Sequence, residues 1–370
     1  MAQRIHVLHV VLSLEPGGLE NGVVNVINRL DAKRFRSTVV CLKQAGAFAA
    51  RISAPEVSIE ALGWRGGNSP ALVLRLARLI RRHRPDIVHT RNAEAFFYGF
   101  LATRLARVPA LIHSEHGRTF NDRPIRFTIQ RMMARHTDAL FAVSAQLRDD
   151  LERYVGIPAE RVPVLYNGVD LDRFALPTRA DARARLGIDA PGFVVGSVGR
   201  LVAVKNYPLL LRAAERARKT IPTLQVALIG DGPERGALET LARELGMQES
   251  VFFLGHRENV TELLPGLDAF VLPSVSEGLS NTLLEAMAAR VPVMATRVGG
   301  NAEVIGAPTE GILIASGDER ALQEGLLRLA LDAELRAAFA AAGRARVETQ
   351  FSMAAMIASY ERFYSAALAS

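Results

Sequence analysis

Short apolar runs recur along this chain at intervals that only helix-length amphipathic segments fill, and that rhythm limits the fold more than any other feature. In the first half the runs lie at residues 5–12, 37–42, 57–62, 86–89, 110–113, 139–143 and 163–166. The second half repeats the rhythm at 193–198, 225–229, 252–254, 269–272, 291–295 and 312–314. Runs this short and apolar read as strands buried on both faces, and strands joined through helices pair in parallel. The expectation is an α/β protein with two doubly wound, Rossmann-like parallel sheets. For 370 residues, two domains also match a norm of about 150 residues each. Boundaries are expected at 1–170 for the first domain and 171–350 for the second, with a helical tail over 351–370. Two such domains in tandem would face a cleft.

Chemistry in parallel sheets gathers at the carboxyl ends of strands and at helix N-termini. The stretch 272–305, LPSVSEGLSNTLLEAMAARVPVMATRVGGNAEVI, is the richest example. It reads as a strand ending in Pro-Ser, a polar turn with Glu277 and Gly278, a helix from Ser280 or Asn281, a buried strand and the pair Gly299-Gly300. Eight residues of helical rise would put Glu277 and Glu285 roughly 12 Å apart. Glycosidase carboxylate pairs sit closer than about 10 Å, so the two read as grips on one elongated, hydroxyl-rich ligand. The turn at Gly278, Leu279, Ser280, Asn281 and Thr282 can offer backbone N–H groups to phosphates or sugar, and Asn281 also reads as a helix cap. Other candidates lie at earlier strand ends. Gly17 and Gly18 precede the first helix, His116 precedes Gly117, and Arg200 and Lys205 bracket the loop after the 193–198 run. Gly230-Asp231-Gly232 lacks the third glycine of a dinucleotide fingerprint, since position 235 is arginine.

The stretch from Glu277 to Ala288, with its Glu-x7-Glu spacing and Glu-Ala-Met-Ala run, resembles the signature of retaining GT-B glycosyltransferases of glycosyltransferase family 4. The Gly-Arg-x4-Lys pattern at 199–205 resembles a second signature of that family. The resemblance extends over almost the whole chain and implies GT-B architecture. It implies that Glu277 holds donor-sugar hydroxyls, that Glu285 holds the nucleotide ribose, and that Arg200 and Lys205 neutralise the departing diphosphate. It further implies that Gly17 and Gly18 lie near the donor phosphates and the acceptor, and that His116 faces the sugar. From the residues alone His116 reads as structural; the likeness to the family's x-x-His-Gly motif reverses that. Arg257, after the 252–254 run, is implied near the nucleotide base, and the terminal helix is implied to cross back onto the first domain. Asp170 and Asp172 form an Asp-x-Asp that could suggest a metal-dependent transferase, but Asn-Gly-Val-Asp is what GT-B members carry at the hinge. No cofactor and no metal are therefore expected.

Charge is unevenly spread. Residues 1–170 carry 24 Lys+Arg against 15 Asp+Glu, or +9, and residues 171–370 carry 21 against 23, or −2, giving the net +7. A basic half attracts polyanions or an anionic membrane face. Nucleic acid is disfavoured because no basic strip is interleaved with aromatics. The arginine-rich amphipathic patterns at 71–84 and 123–136 suit an anionic lipid surface; core-facing helices with a solvated arginine face suit them somewhat better, and the exposed apolar area decides between the two. The single cysteine, Cys41, excludes an internal disulfide and fits a reducing cytosol. The opening apolar run carries His6 and His9 and leads into a glycine turn, so it reads as a first strand and not a signal peptide.

These readings together predict a metal-independent retaining glycosyltransferase. It would move a hexose-type sugar from a UDP- or GDP-type donor to a glycan or lipid-linked acceptor, in surface or extracellular polysaccharide assembly. It would be cytoplasmic, with peripheral contact to the inner face of the membrane. Two alternatives stay open: a GT-B nucleotide-sugar epimerase, and a non-catalytic nucleotide-sugar-binding subunit.

Overall fold

The computed structural model describes residues 4–117, 120, 123–174, 177–188 and 191–368. It divides into two units, the first comprising Met1–Asn167 with Ala354–Ser370 and the second Gly168–Met353. In the first unit the strands are β1 Ile5–Val11, β2 Phe35–Cys41, β3 Ser58–Ala61, β4 Ile87–Arg91, β5 Ala110–Glu115 and β6 Ala139–Ala142. They pair in parallel in the order β3-β2-β1-β4-β5-β6. The second unit has β7 Val194–Val198, β8 Gln225–Ile229, β9 Val251–Gly255, β10 Ala269–Leu272, β11 Val293–Thr296 and β12 Ile312–Ile314. Its order is β12-β11-β10-β7-β8-β9, also parallel throughout. Counted from its own first strand, each sheet runs 3-2-1-4-5-6, the Rossmann order.

Burial explains why these runs carry no polar alternation. Val7, Leu8, Val10 and Val11 of β1 and Phe270, Val271 and Leu272 of β10 are wholly inaccessible, because right-handed crossovers place helices on both sheet faces. On one face of the first sheet, Leu8, Val10 and Val88 pack against helices Pro70–His83, Asn92–Ala106 and Pro124–Arg135. On the other, Val11, Val39 and Cys41 meet helix Gly18–Arg29; burial there pushes the Cys41 thiol up to about 12. Helix Met353–Ala367 joins the first unit through Tyr364, whose hydroxyl meets His89 Nδ1 at 2.8 Å, and through Glu361, which accepts from Asp31 N and Arg34 Nη1, both at 2.9 Å.

Two expected elements differ. The run 163–166 is not a strand: only Val164 bridges, to Ala142, because Pro163 has no N–H to give the ladder and supplies only its carbonyl to Ala142 N. The strand expected at 291–295 starts at Val293 for the same reason, with Pro292 again contributing only a carbonyl, to Phe270 N. At the boundary between units, Val169 N donates to Phe351 O and Met353 N donates to Val169 O, so the outgoing and returning chain segments lie side by side.

Candidate donor site

The order of the second sheet makes β7 and β10 neighbours whose chains then depart in opposite directions, to β8 and to β11. Loops diverge above such a switch point and leave room for a ligand. The loop after β7 holds Arg200 and Lys205, and the loop after β10 holds Ser274 and Glu277. They are tied by Val275 N donating to Val204 O at 2.9 Å. Between them Lys205 Nζ donates to Glu277 Oε1 at 2.6 Å, and Ser274 Oγ donates to the same oxygen at 2.6 Å. The lysine and glutamate side chains are only 18% and 12% exposed. An ammonium has three donors and a carboxylate about four acceptor positions. Among the described residues neither side chain forms another hydrogen bond, so donors of Lys205 and the second oxygen of Glu277 stay uncommitted. A cation with spare donors beside a carboxylate with a spare acceptor matches a ligand carrying phosphate and hydroxyl groups together.

Close backbone packing holds the surrounding turns. Gly199 N donates to Ile229 O, Leu201 N to Asp231 O and Glu234 N to Leu201 O, knitting the β7 and β8 loops, and Gly230 N donates to Gly255 O at the end of β9. Gly230 sits at φ +142°, and a Cβ there would fall 2.0 Å from Gly199 O. Gly299, at φ +51°, would place a Cβ 1.9 Å from the Glu277 carbonyl, while Gly300 N donates to Gly278 O at 2.6 Å. Gly299→Ala is therefore expected to cost at least about 2 kcal/mol in urea unfolding, through left-handed strain and displacement of the Glu277 turn. Gly236→Ala, in open space on helix Arg235–Glu244, should leave stability unchanged or slightly raised.

The other expected donor residues are placed as follows. Arg200 is exposed and makes no ion pair among the described residues; its neighbour Gly199 lies under the Lys205 stem, a Cβ there being 3.3 Å from Lys205 Cε. The helix after the β10 loop spans Asn281–Ala288, and its cap is Ser280, whose Oγ accepts from Leu283 N. Asn281 is thus the first helical residue and not the cap. Only part of the Glu277–Glu285 spacing is helical, so a rise computed over eight helical residues does not apply. Gly278 and Leu279 are buried, which leaves Leu279 only its backbone to offer. Thr282 Oγ1 lies 3.2 Å from Ser280 Oγ, and Glu285 is half-buried on the helix. Arg257 is exposed beyond β9, and the structure brings it into no contact with the Lys205–Glu277 pair among the described residues.

In the first unit the switch point lies between β1 and β4. Gly17 and Gly18 follow β1. Gly17 is extended (φ −171°), so no backbone strain selects glycine there, and a Cβ would meet the movable end of the Glu20 side chain at 2.2 Å. His116 follows β5. Its backbone N–H donates to Asn92 Oδ1 at 3.0 Å, and its Nε2 meets Ser114 Oγ at 2.9 Å, which in turn meets His89 Nε2 at 2.9 Å. Burial, then the Arg91 charge and His113, hold the His116 imidazole well below its ordinary range, so it is neutral at pH 7. The sequence reading passed over Arg91, Ser114 and Ser274. Arg91 is 2% exposed and donates from Nη1 to His9 Nδ1 at 3.0 Å. For Ser274, the signal was its place three residues before Glu277, at the end of a strand.

Two parallel sheets in Rossmann order, with these cationic and acidic loops at the switch point of the second, match the GT-B architecture of glycosyltransferases. Residues 178–346 match the model for glycosyl transferases group 1, and residues 16–173 match the model for glycosyltransferase family 4. The chain belongs to that family of glycosyltransferases. It is 31% identical over 303 residues, 77% of each chain, to EpsF of Bacillus subtilis, a protein named as a glycosyltransferase. It is 27% identical over 271 residues, 70% of each chain, to the UDP-Gal:α-D-GlcNAc-diphosphoundecaprenol α-1,3-galactosyltransferase of Escherichia coli. The fold also matches the crystal structure of Anabaena HepE in complex with UDP-glucose, with a TM-score of 0.85 at 21% identity over 98% of this chain and 100% of that one.

Proposed function

We propose that this enzyme is a retaining transferase that moves a hexose-type sugar from a nucleoside-diphosphate donor to a glycan or lipid-linked acceptor, in surface or extracellular polysaccharide assembly. The observation that carries the reading is the half-buried Lys205–Glu277–Ser274 cluster above β7 and β10, a paired cation and acid suited to diphosphate and sugar hydroxyls. The Escherichia coli relative takes UDP-galactose and a diphosphoundecaprenol-linked acceptor by its name, and the HepE complex holds UDP-glucose. Both favour UDP over GDP.

In this mechanism Arg200, Lys205 and the N–H groups of Gly278 to Thr282 stabilise the charge that grows on the diphosphate as its bond to the anomeric carbon breaks. Glu277 orients the sugar through its hydroxyls and Glu285 holds the ribose. Gly17 and Gly18 serve the phosphates and acceptor, Arg257 the base. His116, neutral, contacts the sugar without competing for the acceptor proton. The acceptor oxygen bonds to the anomeric carbon on the face the diphosphate leaves, and its proton passes to that diphosphate. The scheme uses protein cations in place of a metal.

The test is NMR of UDP- and GDP-sugars with the enzyme, first alone and then with polyprenyl-diphosphate glycans. Transfer from a UDP-sugar with the anomeric configuration kept is expected. Donor epimerisation without any acceptor would replace the reading with an epimerase, and donor binding with no turnover across the acceptor panel would replace it with a binding subunit.

A further inference from the structure

Within the first unit, four side chains meet in one unbroken line. Tyr364 comes from helix Met353–Ala367, His89 from β4 and Ser114 from β5, and His116 follows that strand. The Tyr364 hydroxyl meets His89 Nδ1 at 2.8 Å, His89 Nε2 meets Ser114 Oγ at 2.9 Å, and Ser114 Oγ meets His116 Nε2 at 2.9 Å. Tyr364, His89 and Ser114 are wholly inaccessible, so bulk water does not compete for these bonds. The half-buried His116 is the one member of the four open to solvent.

Proton counting gives this line a direction. Burial, then the Arg91 charge, hold His89 and His116 well below the ordinary imidazole range, so each ring carries one N–H and one bare nitrogen at pH 7. Ser114 has a single proton and stands between two Nε2 atoms. It donates to one and accepts from the other, so the two rings hold opposite forms at Nε2. In one arrangement Tyr364 donates to His89 Nδ1, and His89 Nε2–H donates to Ser114. Ser114 then donates to His116 Nε2, and His116 keeps its own proton on Nδ1. In the other arrangement every bond is reversed, and the Tyr364 O–H needs a different acceptor. Among the described residues it meets none. The other polar group at that hydroxyl is the Arg91 guanidinium, which can only donate. Arg91 is itself buried, with Nη1 donating to His9 Nδ1 at 3.0 Å. A buried O–H without an acceptor is costly, and the first arrangement avoids it.

We propose that Tyr364, His89 and Ser114 form a one-way hydrogen-bond relay that fixes His116 as its Nδ1–H tautomer. With Nε2 filled by Ser114 and Nδ1 protonated, the imidazole shows a ligand one N–H and no lone pair. It can donate to an oxygen but cannot take a proton from one. Its Nδ1 has no partner among the described residues and is left for that ligand. The functional half of the proposal rests on the transfer reading: the N–H meets a sugar oxygen, and His116 is excluded as the base that deprotonates the acceptor. Tyr364 is a positioning residue, acting on the ligand only through His89 and Ser114. The terminal helix thereby sets the chemistry of a group 275 residues earlier at His89, and through it His116.

The experiment is long-range proton–nitrogen correlation NMR of the ligand-free full chain carrying isotope-labelled histidine, which distinguishes the two tautomers of each ring. His89 is expected in the Nε2–H form and His116 in the Nδ1–H form. Ser114→Ala cuts the line below His89, so His89 should keep its form while His116 populates both. Tyr364→Phe removes the first donor, and both rings should then populate both forms, with circular dichroism as in the parent. If Tyr364→Phe does not fold, Ser114→Ala still tests the direction. Tyr364→Phe should also lower kcat by about tenfold, with donor and acceptor KM within about twofold of the parent. His116 in the Nε2–H form in the parent would overturn the proposal. So would an imidazolium at either ring at pH 7, unchanged tautomers in both variants, or an unchanged kcat in Tyr364→Phe. The tautomers are read without donor or acceptor, so a parent that transfers no sugar would count against the transfer reading and leave the relay standing.

Discussion

Lys205→Ala is expected to lower the rate of sugar transfer by about a thousandfold, or about 4 kcal/mol of transition-state stabilisation. The ammonium stands at the switch point of the second sheet with donors left over after its bond to Glu277, where diphosphate charge would build. A preorganised donor in a partly desolvated site needs little reorganisation as that charge forms. Stability should fall by no more than about 2 kcal/mol, between the small worth of exposed ion pairs and the larger cost of breaking buried ones. Glu277 keeps its bond from Ser274 in the variant and is not left alone. Lys205→Arg should recover part of the rate, since the charge returns with different geometry. Glu277→Gln combined with Lys205→Ala should cost less than the two single changes summed, because the side chains share one hydrogen bond. The checks are UDP release with acceptor present and thermal unfolding of each variant. A Lys205→Ala rate within tenfold of the parent would remove the diphosphate role assigned to this residue.

The path from residues to this site shows what a sequence reveals. The rhythm of apolar runs and helices foretold two parallel sheets because burial on both faces enriches each strand in apolar residues and leaves no polar alternation, even where buried polar residues such as His9 and His89 interrupt it. Strand order was not legible, since every right-handed crossover looks alike along the chain until spatial neighbours are known. Proline set the misread edges: Pro163 and Pro292 sit in apolar runs yet cannot donate to a ladder. The meeting of Lys205 with Glu277, 72 residues apart, was likewise hidden, because it arises where β7 and β10 become neighbours. Ser280, not Asn281, caps the helix, and both residues suit that position. Arg91 escaped notice because a buried arginine at a strand end looks, in sequence, like any solvated charge.

Acidification is expected to unfold the first unit well before the second. Seven of the eight histidines lie in the first unit and only His256 in the second. His6, His9 and His89 are buried within β1 and β4. Burial, followed by Arg36 and His83, lowers His6 to about 4, with Asp86 opposing. His9 is held well below its ordinary range by burial, then by Arg91 and His6; His89 likewise by burial, then by Arg91, His9, His116 and His113. Above the ordinary value of 6.5 these rings are neutral whether the chain is folded or not, so they do not change stability. Below it the unfolded chain takes up protons that the folded chain refuses, and stability falls with pH until the folded rings titrate. Between about pH 7.5 and about pH 5.5 each ring then costs the fold on the order of 1 kcal/mol, and the three together a few kcal/mol, a large share of a domain's usual 5–15 kcal/mol. Urea unfolding across that range, with hydrogen exchange to assign protection to each unit, measures the effect. His6→Leu should flatten the slope by up to about one proton. A first unit equally stable at both ends of the range would show that these histidines take up protons in the folded state and would contradict the burial on which the argument rests.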